Sequence, residues 1–280
     1  MFTYVKPWFR RLHADTQDWR QRVLVAGGTV SKATAQSVDT FVRGIIADGL
    51  RDRFYRLNLF VGDNLLAALV PLYRGPVSGG TVYGYEYDQN VGPFLSADLS
   101  SSLGLSADGA TKYLNTGLSG ASLPSAYDLH ISNYVTRHGT GTYTFNTGWG
   151  ATGGVFQTGI GPISPTTSYW FWDYPDSGSA YVLKASVPLG FMMGSVRATG
   201  SNGAAFLINT GTESTATSGA NRVLVDAAIP IFARRLGTLI DNRSNAALGM
   251  YSIGAAMSSI QSTAFRSRVQ ALSTALGRAS

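Results

Sequence analysis

The chain has 280 residues, of which 44% are hydrophobic and 14% charged, a formal net charge of +6 and no cysteine. That apolar content excludes an intrinsically disordered chain, and the missing thiols exclude a disulfide framework, thiolate zinc sites and cysteine nucleophiles. Charge is uneven: +5 over residues 1–56, −4 over 57–221 and +5 over 222–280. Basic ends around an acidic middle suit docking between like subunits or onto an acidic neighbour. No nucleic-acid-binding motif accompanies the charge, so nucleic acid is not expected as a partner.

Residues 1–30 read as an anchoring arm, outside the domain that follows. Trp8, Phe9 and Trp19 are interleaved there with Lys6, Arg10, Arg11, Arg20 and Arg22. Aromatic and arginine side chains carry much of the energy of protein interfaces, so Trp8, Phe9, Arg10, Arg11 and Trp19 are the candidate assembly residues. No apolar stretch ahead of a small-residue cleavage site reads as a signal peptide, and no run is long enough to span a bilayer. Synthesis and folding in a cytoplasm are therefore expected, with no membrane insertion.

The spacing of Ala35, Val38, Phe41, Val42, Ile45 and Ile46 predicts a helix over 31–48, with Ser31 as its N-cap and Gly49 as its stop. A second helix is expected over 258–276. Met257, Ile260, Phe265, Val269, Leu272 and Leu276 form its apolar face, Arg266, Arg268 and Arg278 its polar side, and Gly277 its end. Strand-type segments fill the space between. They are Arg56–Val61, Thr81–Tyr87, Ala126–Val135, Tyr143–Thr147, Ser168–Tyr174, Ala180–Ala185, Ala205–Asn209, Val223–Ala233 and Met250–Ile253. Turn clusters at Arg137–Gly141, Asp176–Gly178 and Gly200–Gly203 separate some of them. Many short strands without intervening helices exclude a doubly wound sheet, and no repeat of 20–50 residues indicates a propeller. The fold class is all-β with flanking helices, a single sandwich over residues 31–280.

Four segments, in this order, resemble a known family. They are Ala47-Asp48-Gly49-Leu50, Leu59-Phe60-Val61-Gly62, Gly109-Ala110-Thr111-Lys112-Tyr113-Leu114-Asn115-Thr116-Gly117-Leu118 and Tyr251-Ser252-Ile253-Gly254. The family comprises phage and prophage virion structural proteins with a concanavalin A-like (lectin/glucanase-type) jelly-roll module. The resemblance runs over roughly residues 30–278 and leaves the arm outside. It implies a jelly-roll β-sandwich of two antiparallel sheets and a place on the head surface or tail of a tailed phage. Other capsid or tail proteins would be its partners, homo-oligomerisation its habit and the virion its location. It implies no reaction and no cofactor.

Candidate chemistry is sparse. Glu86-Tyr87-Asp88-Gln89-Asn90 has the alternation of a glucanase strand, but Asn90 stands where a third acid is needed and cannot act as a general acid. Asp128 and His130, two apart, are expected to share a strand face as a hydrogen-bonded pair. Gly148-Trp149-Gly150-Ala151-Thr152-Gly153 fits the phosphate-loop pattern literally, yet β-type sequence follows it rather than a helix. No catalytic residue and no metal ligand is assigned. The run Tyr169-Trp170-Phe171-Trp172-Asp173-Tyr174 offers the alternative function. Trp170, Trp172 and Tyr174 would share one face and, with Trp149, form stacking platforms for a host surface polysaccharide, as in a lectin-like attachment module.

Overall fold

The computed structural model describes residues 12–78, 80–151, 156–163, 169–175, 180–185, 187–198, 200–209, 211–218 and 224–278. Helix α1 (Ala14–Val25) comes first and α2 (Lys32–Ala47) follows. Strand β1 (Phe54–Asn58), the single turn α3 (Leu65–Ala68), β2 (Gln89–Val91), β3 (Leu99–Ser100), β4 (Gly104–Ser106) and β5 (Tyr113–Ser119) come next. The middle supplies β6 (Leu129–Arg137), β7 (Thr147–Gly150), β8 (Phe156–Pro162), β9 (Tyr169–Pro175) and β10 (Ala180–Lys184). Then run β11 (Gly190–Val196), β12 (Gly200–Ile208), β13 (Ser214–Ser218) and β14 (Ala228–Ile231). The hairpin β15 (Arg234–Leu236) and β16 (Leu239–Asp241), β17 (Ala247–Gly254) and α4 (Ser259–Ala275) complete the order.

The strands form two sheets. The first runs β13-β12-β11-β6-β17-β4-β3, with β1 on the far half of β17. The second runs β10-β9-β8-β7-β14-β5-β2 and carries the β15–β16 hairpin beside β7. Every pairing between named strands is antiparallel except β15 with β7. The expected sandwich of two antiparallel sheets with flanking helices is what the chain forms.

Three layers follow from the pleat. Leu129, Ile131 and Val135 of β6 face the second sheet, together with Leu248, Tyr251 and Ile253 of β17. The alternate residues Tyr134, Met250, Phe191, Met193 and Leu207 meet the helices on the other side. Sheet one is thus covered on both faces, and all residues of β6 except Arg137 are buried.

The two expected helices form within a residue of their expected ends. Ser31 Oγ accepts the Thr34 N–H, and Gly49 turns the chain at φ +67°. Ser258 and Gln261 make a reciprocal capping box on α4, and Gly277 repeats the left-handed stop. Gly44 leaves a notch in α2, since a Cβ there would lie 2.7 Å from Arg268 Cδ. Arg268 crosses the notch and clasps Asp48 at 2.8 and 2.9 Å.

Several expectations are corrected. Residues 14–25 of the supposed arm are a helix on the domain's own core: Trp19 is 1% exposed, packs with Val23, Phe41 and Val70, and donates its indole N–H to the Val70 carbonyl. Arg22 grips the carbonyls of Pro71 and Leu72. Trp19 is therefore a core residue here, and the boundary at residue 30 divides a single core. Thr81–Tyr87 is an irregular connector and not a strand. Gly200–Gly203 lies in β12, where a register shift accommodates it, and Asp176–Gly178 lies outside the described residues. Arg278 is not on a polar surface. It is 7% exposed and donates to the carbonyls of Leu59, Phe60 and Gly249.

Candidate functional site

The polar groups that suggested chemistry are built into the core. Asp88 and Arg56 are both fully buried, joined at 2.9 Å through Nε and 2.7 Å through Nη2. The Tyr251 hydroxyl donates to the same carboxylate at 2.7 Å, and Asn58 Nδ2 donates at 2.8 Å. Arg56 Nη1 adds the carbonyls of Tyr83 and Tyr85, which ties the connector down. Burial opposes the Arg56 charge, but Asp88 and Tyr251 beside it hold its pKa above the usual guanidinium value. Burial and the Asp88 carboxylate push the Tyr251 phenol well above 10. Asn58 Oδ1 accepts the Phe60 N–H, so the same network supports Phe60 at φ +47° ahead of Gly62 at φ +131°.

The acids expected to alternate on one strand do not share a face. Glu86 is exposed and paired with Arg74, while Asp88 is enclosed. Asn90 exchanges two hydrogen bonds with the Phe94 backbone. Glu213 is held by both terminal nitrogens of Arg197. No pair of carboxylates among the described residues converges on a cleft.

His130 and Asp128 also part company. Asp128 accepts the Ala256 N–H, whereas His130 lies wholly buried under α4, its ring 6.3 Å from that of Phe265. Nδ1 faces the Ala255 carbonyl at 2.7 Å and must donate to it, so Nε2 accepts from Ser252 Oγ at 2.8 Å. Ser132 Oγ extends the chain at 2.7 Å. Serine and imidazole at this distance form the pair that nucleophilic catalysis uses, yet no substrate reaches them. Burial first, and the Arg53 charge, bring the His130 pKa down to about 4. Histidine spacing gave no hint of this pair; the serine comes from β17, 122 residues away.

Trp149 is fully buried against the Gly120 backbone, on the inner side of β7. It cannot act as a sugar platform. Gly148 and Gly150 lie in that same strand and form no phosphate-cradling turn. Phe145 fills the outer side instead: a Cβ at Gly148 or Gly159 would come within 2.6 or 2.5 Å of its Cδ1, and the Arg234 guanidinium lies 5.2 Å from its ring centre.

Trp170, Trp172 and Tyr174 sit on β9, but their side chains lie outside the described ones. Trp8, Phe9, Arg10 and Arg11 also fall outside the described residues. The backbone register places β9 clearly. Tyr169 and Phe171 are buried, and so are Ile160 and Val182 paired with Phe171. Leu183, paired with Trp170, belongs to the alternate set and is 48% exposed. In the backbone register, positions 170, 172 and 174 alternate with buried Tyr169 and Phe171, and positions 170 and 172 pair with 183 and 181.

No protein-family model and no curated protein sequence matches the chain. Among solved structures, it is similar to an arabinofuranosidase complexed with arabinofuranosyl-α-1,2-xylobiose, with 12% identity, a TM-score of 0.42 and coverage of 67% of this chain and 45% of that one. A Trypanosoma rangeli sialidase mutant gives 11%, 0.40, 88% and 40%. A Ruminococcus gnavus sialidase CBM40 domain bound to α2,3-sialyllactose gives 8%, 0.34, 46% and 76%. The chain spans less than half the length of the two enzymes. These likenesses concern the layout of the sandwich alone.

Proposed function

We propose that the chain is a non-catalytic structural component of a tailed-phage particle, acting by contact with neighbouring virion proteins. The observation that carries this reading is where the resemblance residues fall. Gly49, Gly62 and Gly109 take positive φ outside the strands, Gly117 takes it within β5, and Tyr251 anchors the Arg56–Asp88 network. The family pattern thus coincides with fold determinants, and Asp88, His130, Ser132 and Ser252, the groups that chemistry would need, are buried among them. What stays accessible is surface for contact. The test is mass spectrometry of particles purified from a lysate of the host carrying the gene. The chain is expected at a fixed copy number that survives gradient purification. Its loss from the particle fraction would refute the assignment.

A second reading uses the outer face of the second sheet. The helices cover only the first sheet, and the Trp170, Trp172 and Tyr174 positions share the register set of exposed Leu183. A row of aromatic positions on a sheet face that the helices do not cover suits stacking against sugar rings of a host polysaccharide. Titration with host surface polysaccharide should quench tryptophan fluorescence in the parent chain and not in Trp170→Ala/Trp172→Ala. An unchanged spectrum in the parent chain would remove this reading.

A further inference from the structure

Strand β5 buries Leu114, Thr116 and Leu118 and turns Tyr113, Asn115 and Gly117 to the outer face of the second sheet, where all three are partly exposed. Exposed Gln89 of β2 is paired directly with Asn115, so the two amides are neighbours on that face. Asn115 Oδ1 accepts the Gly117 N–H at 3.0 Å, which fixes the amide and leaves Nδ2 to donate. The Tyr85 ring lies across Gly117, where a Cβ would come within 2.4 Å of two ring carbons. Tyr85 is 43% exposed, yet its backbone is tied on both sides. Its N–H donates to the Thr116 carbonyl at 3.0 Å, its carbonyl accepts from buried Arg56 at 3.1 Å, and Gly84 turns the chain just before it at φ +73°. An exposed aromatic ring on a fixed backbone is a preorganised platform, since a ligand that stacks on it has no loop to order.

From Gly117 to Tyr113 the strip runs about 13 Å along the strand, and its two ends differ in charge. At the Tyr113 end the Arg243 guanidinium lies 5.7 Å from the ring centre, and its Nε has no hydrogen-bond partner among the described residues. Asp241, two residues before it, has both oxygens engaged by Arg234 at 2.9 and 2.8 Å, so the Arg243 charge stays available to a ligand. At the other end Ser119 Oγ donates to Asp226 at 2.7 Å, while Glu86 beside Tyr85 is paired with Arg74. The charge difference orients an acidic ligand, with its carboxylate toward Arg243. A tyrosine platform, two amides and a guanidinium match the C–H face, the hydroxyls and the carboxylate of a sugar acid. Two strands wide, the strip covers an area on the order of 100 Å², against about 800 Å² per partner in a stable protein interface. Its size suits an oligosaccharide.

We propose that the outer face of β5 binds an acidic oligosaccharide, with Tyr85 stacking a sugar ring, Asn115 and Gln89 bonding hydroxyls and Arg243 taking a carboxylate. The strip shares no residue with the β9 positions, from which β14, β7 and β8 separate it in the sheet, and it rests on neither function proposed above. Isothermal titration of the full chain with galacturonate, mannuronate and hyaluronan tetrasaccharides should show binding of at least one, weakening as salt rises. Neutral maltotetraose should bind more weakly by about tenfold. Tyr85→Ala should lower the affinity for the acid roughly tenfold and Tyr85→Phe should keep it, both with an unchanged melting temperature. Arg243→Gln should lower it about tenfold and remove the salt dependence, whereas Arg243→Lys should retain both. Trp170→Ala/Trp172→Ala should bind as the parent does. A parent chain that binds none of the three acids, affinity indifferent to Tyr85→Ala, or equal affinity for maltotetraose would each overturn the proposal. So would a loss confined to the tryptophan variant, which would leave the β9 reading standing alone.

Discussion

Asp88→Asn tests the central network. The substitution keeps the shape of the side chain and removes its charge, leaving Arg56 fully buried without its counter-ion. Breaking one side of a buried pair costs about 3–5 kcal/mol, because the remaining ion keeps its desolvation penalty. A domain of this kind is stable by only about 5–15 kcal/mol, so the loss is a large share. Tyr251→Phe removes one neutral donor to the same carboxylate and should cost about 1–2 kcal/mol. The diagnostic comparison is Arg56→Met/Asp88→Leu, which removes both charges and should cost less than Asp88→Asn alone. Urea unfolding followed by tryptophan fluorescence, with matched m-values, gives all three numbers. A loss below about 1 kcal/mol for Asp88→Asn would refute the reasoning, since it would mean that water or another group serves Arg56.

Three further outcomes are expected. His130 titrates near 6.5 when unfolded and at about 4 when folded, so its contribution is present above pH 6.5 and lost as pH falls towards 4. The parent chain should lose roughly 3 kcal/mol more than His130→Gln over that window, and equal slopes by urea titration at stepped pH would discount the buried neutral imidazole. Trp19→Ala should cost about 3–5 kcal/mol as a large core truncation; a change under 1 kcal/mol would restore α1 to the status of a detachable arm. Gly194→Ala should cost about 1–3 kcal/mol in denaturant unfolding, because its Cβ would lie 2.0 Å from Phe171 Cδ2, and a neutral result would mean that the two sheets separate easily at β11.

What could be read in advance follows from how each element is covered. Helices α2 and α4 each bury one face and end in glycine, so periodicity and caps located them closely. Strands of the first sheet bury both faces, which erases the alternation that marks a strand; Gly190-Phe-Met-Met-Gly-Ser-Val196 gives no period at all. Helix α1 buries only Thr16, Trp19 and Val23, too few positions to show a stripe in a polar segment. The connector at 81–87 has strand composition, but Arg56 claims the carbonyls of Tyr83 and Tyr85 that a ladder would use, and Gly84 turns at φ +73° between them. The candidate site was legible only as composition. Trp149 reads as a companion platform to the aromatic run on β9, yet it faces the core, and its neighbour Gly148 makes room for Phe145 on the outer side of the strand.

The pairing of β1 with β17 sets the timetable of folding. Arg56 and Tyr251 are 195 residues apart in the chain, a delay of roughly 10–40 s at ordinary rates of translation. Until β17 emerges from the ribosome, β1 lacks its ladder and the apolar face of α2 lacks α4. Strand β17 and helix α4, made long after β1 and α2, therefore act as the latch that closes the sandwich.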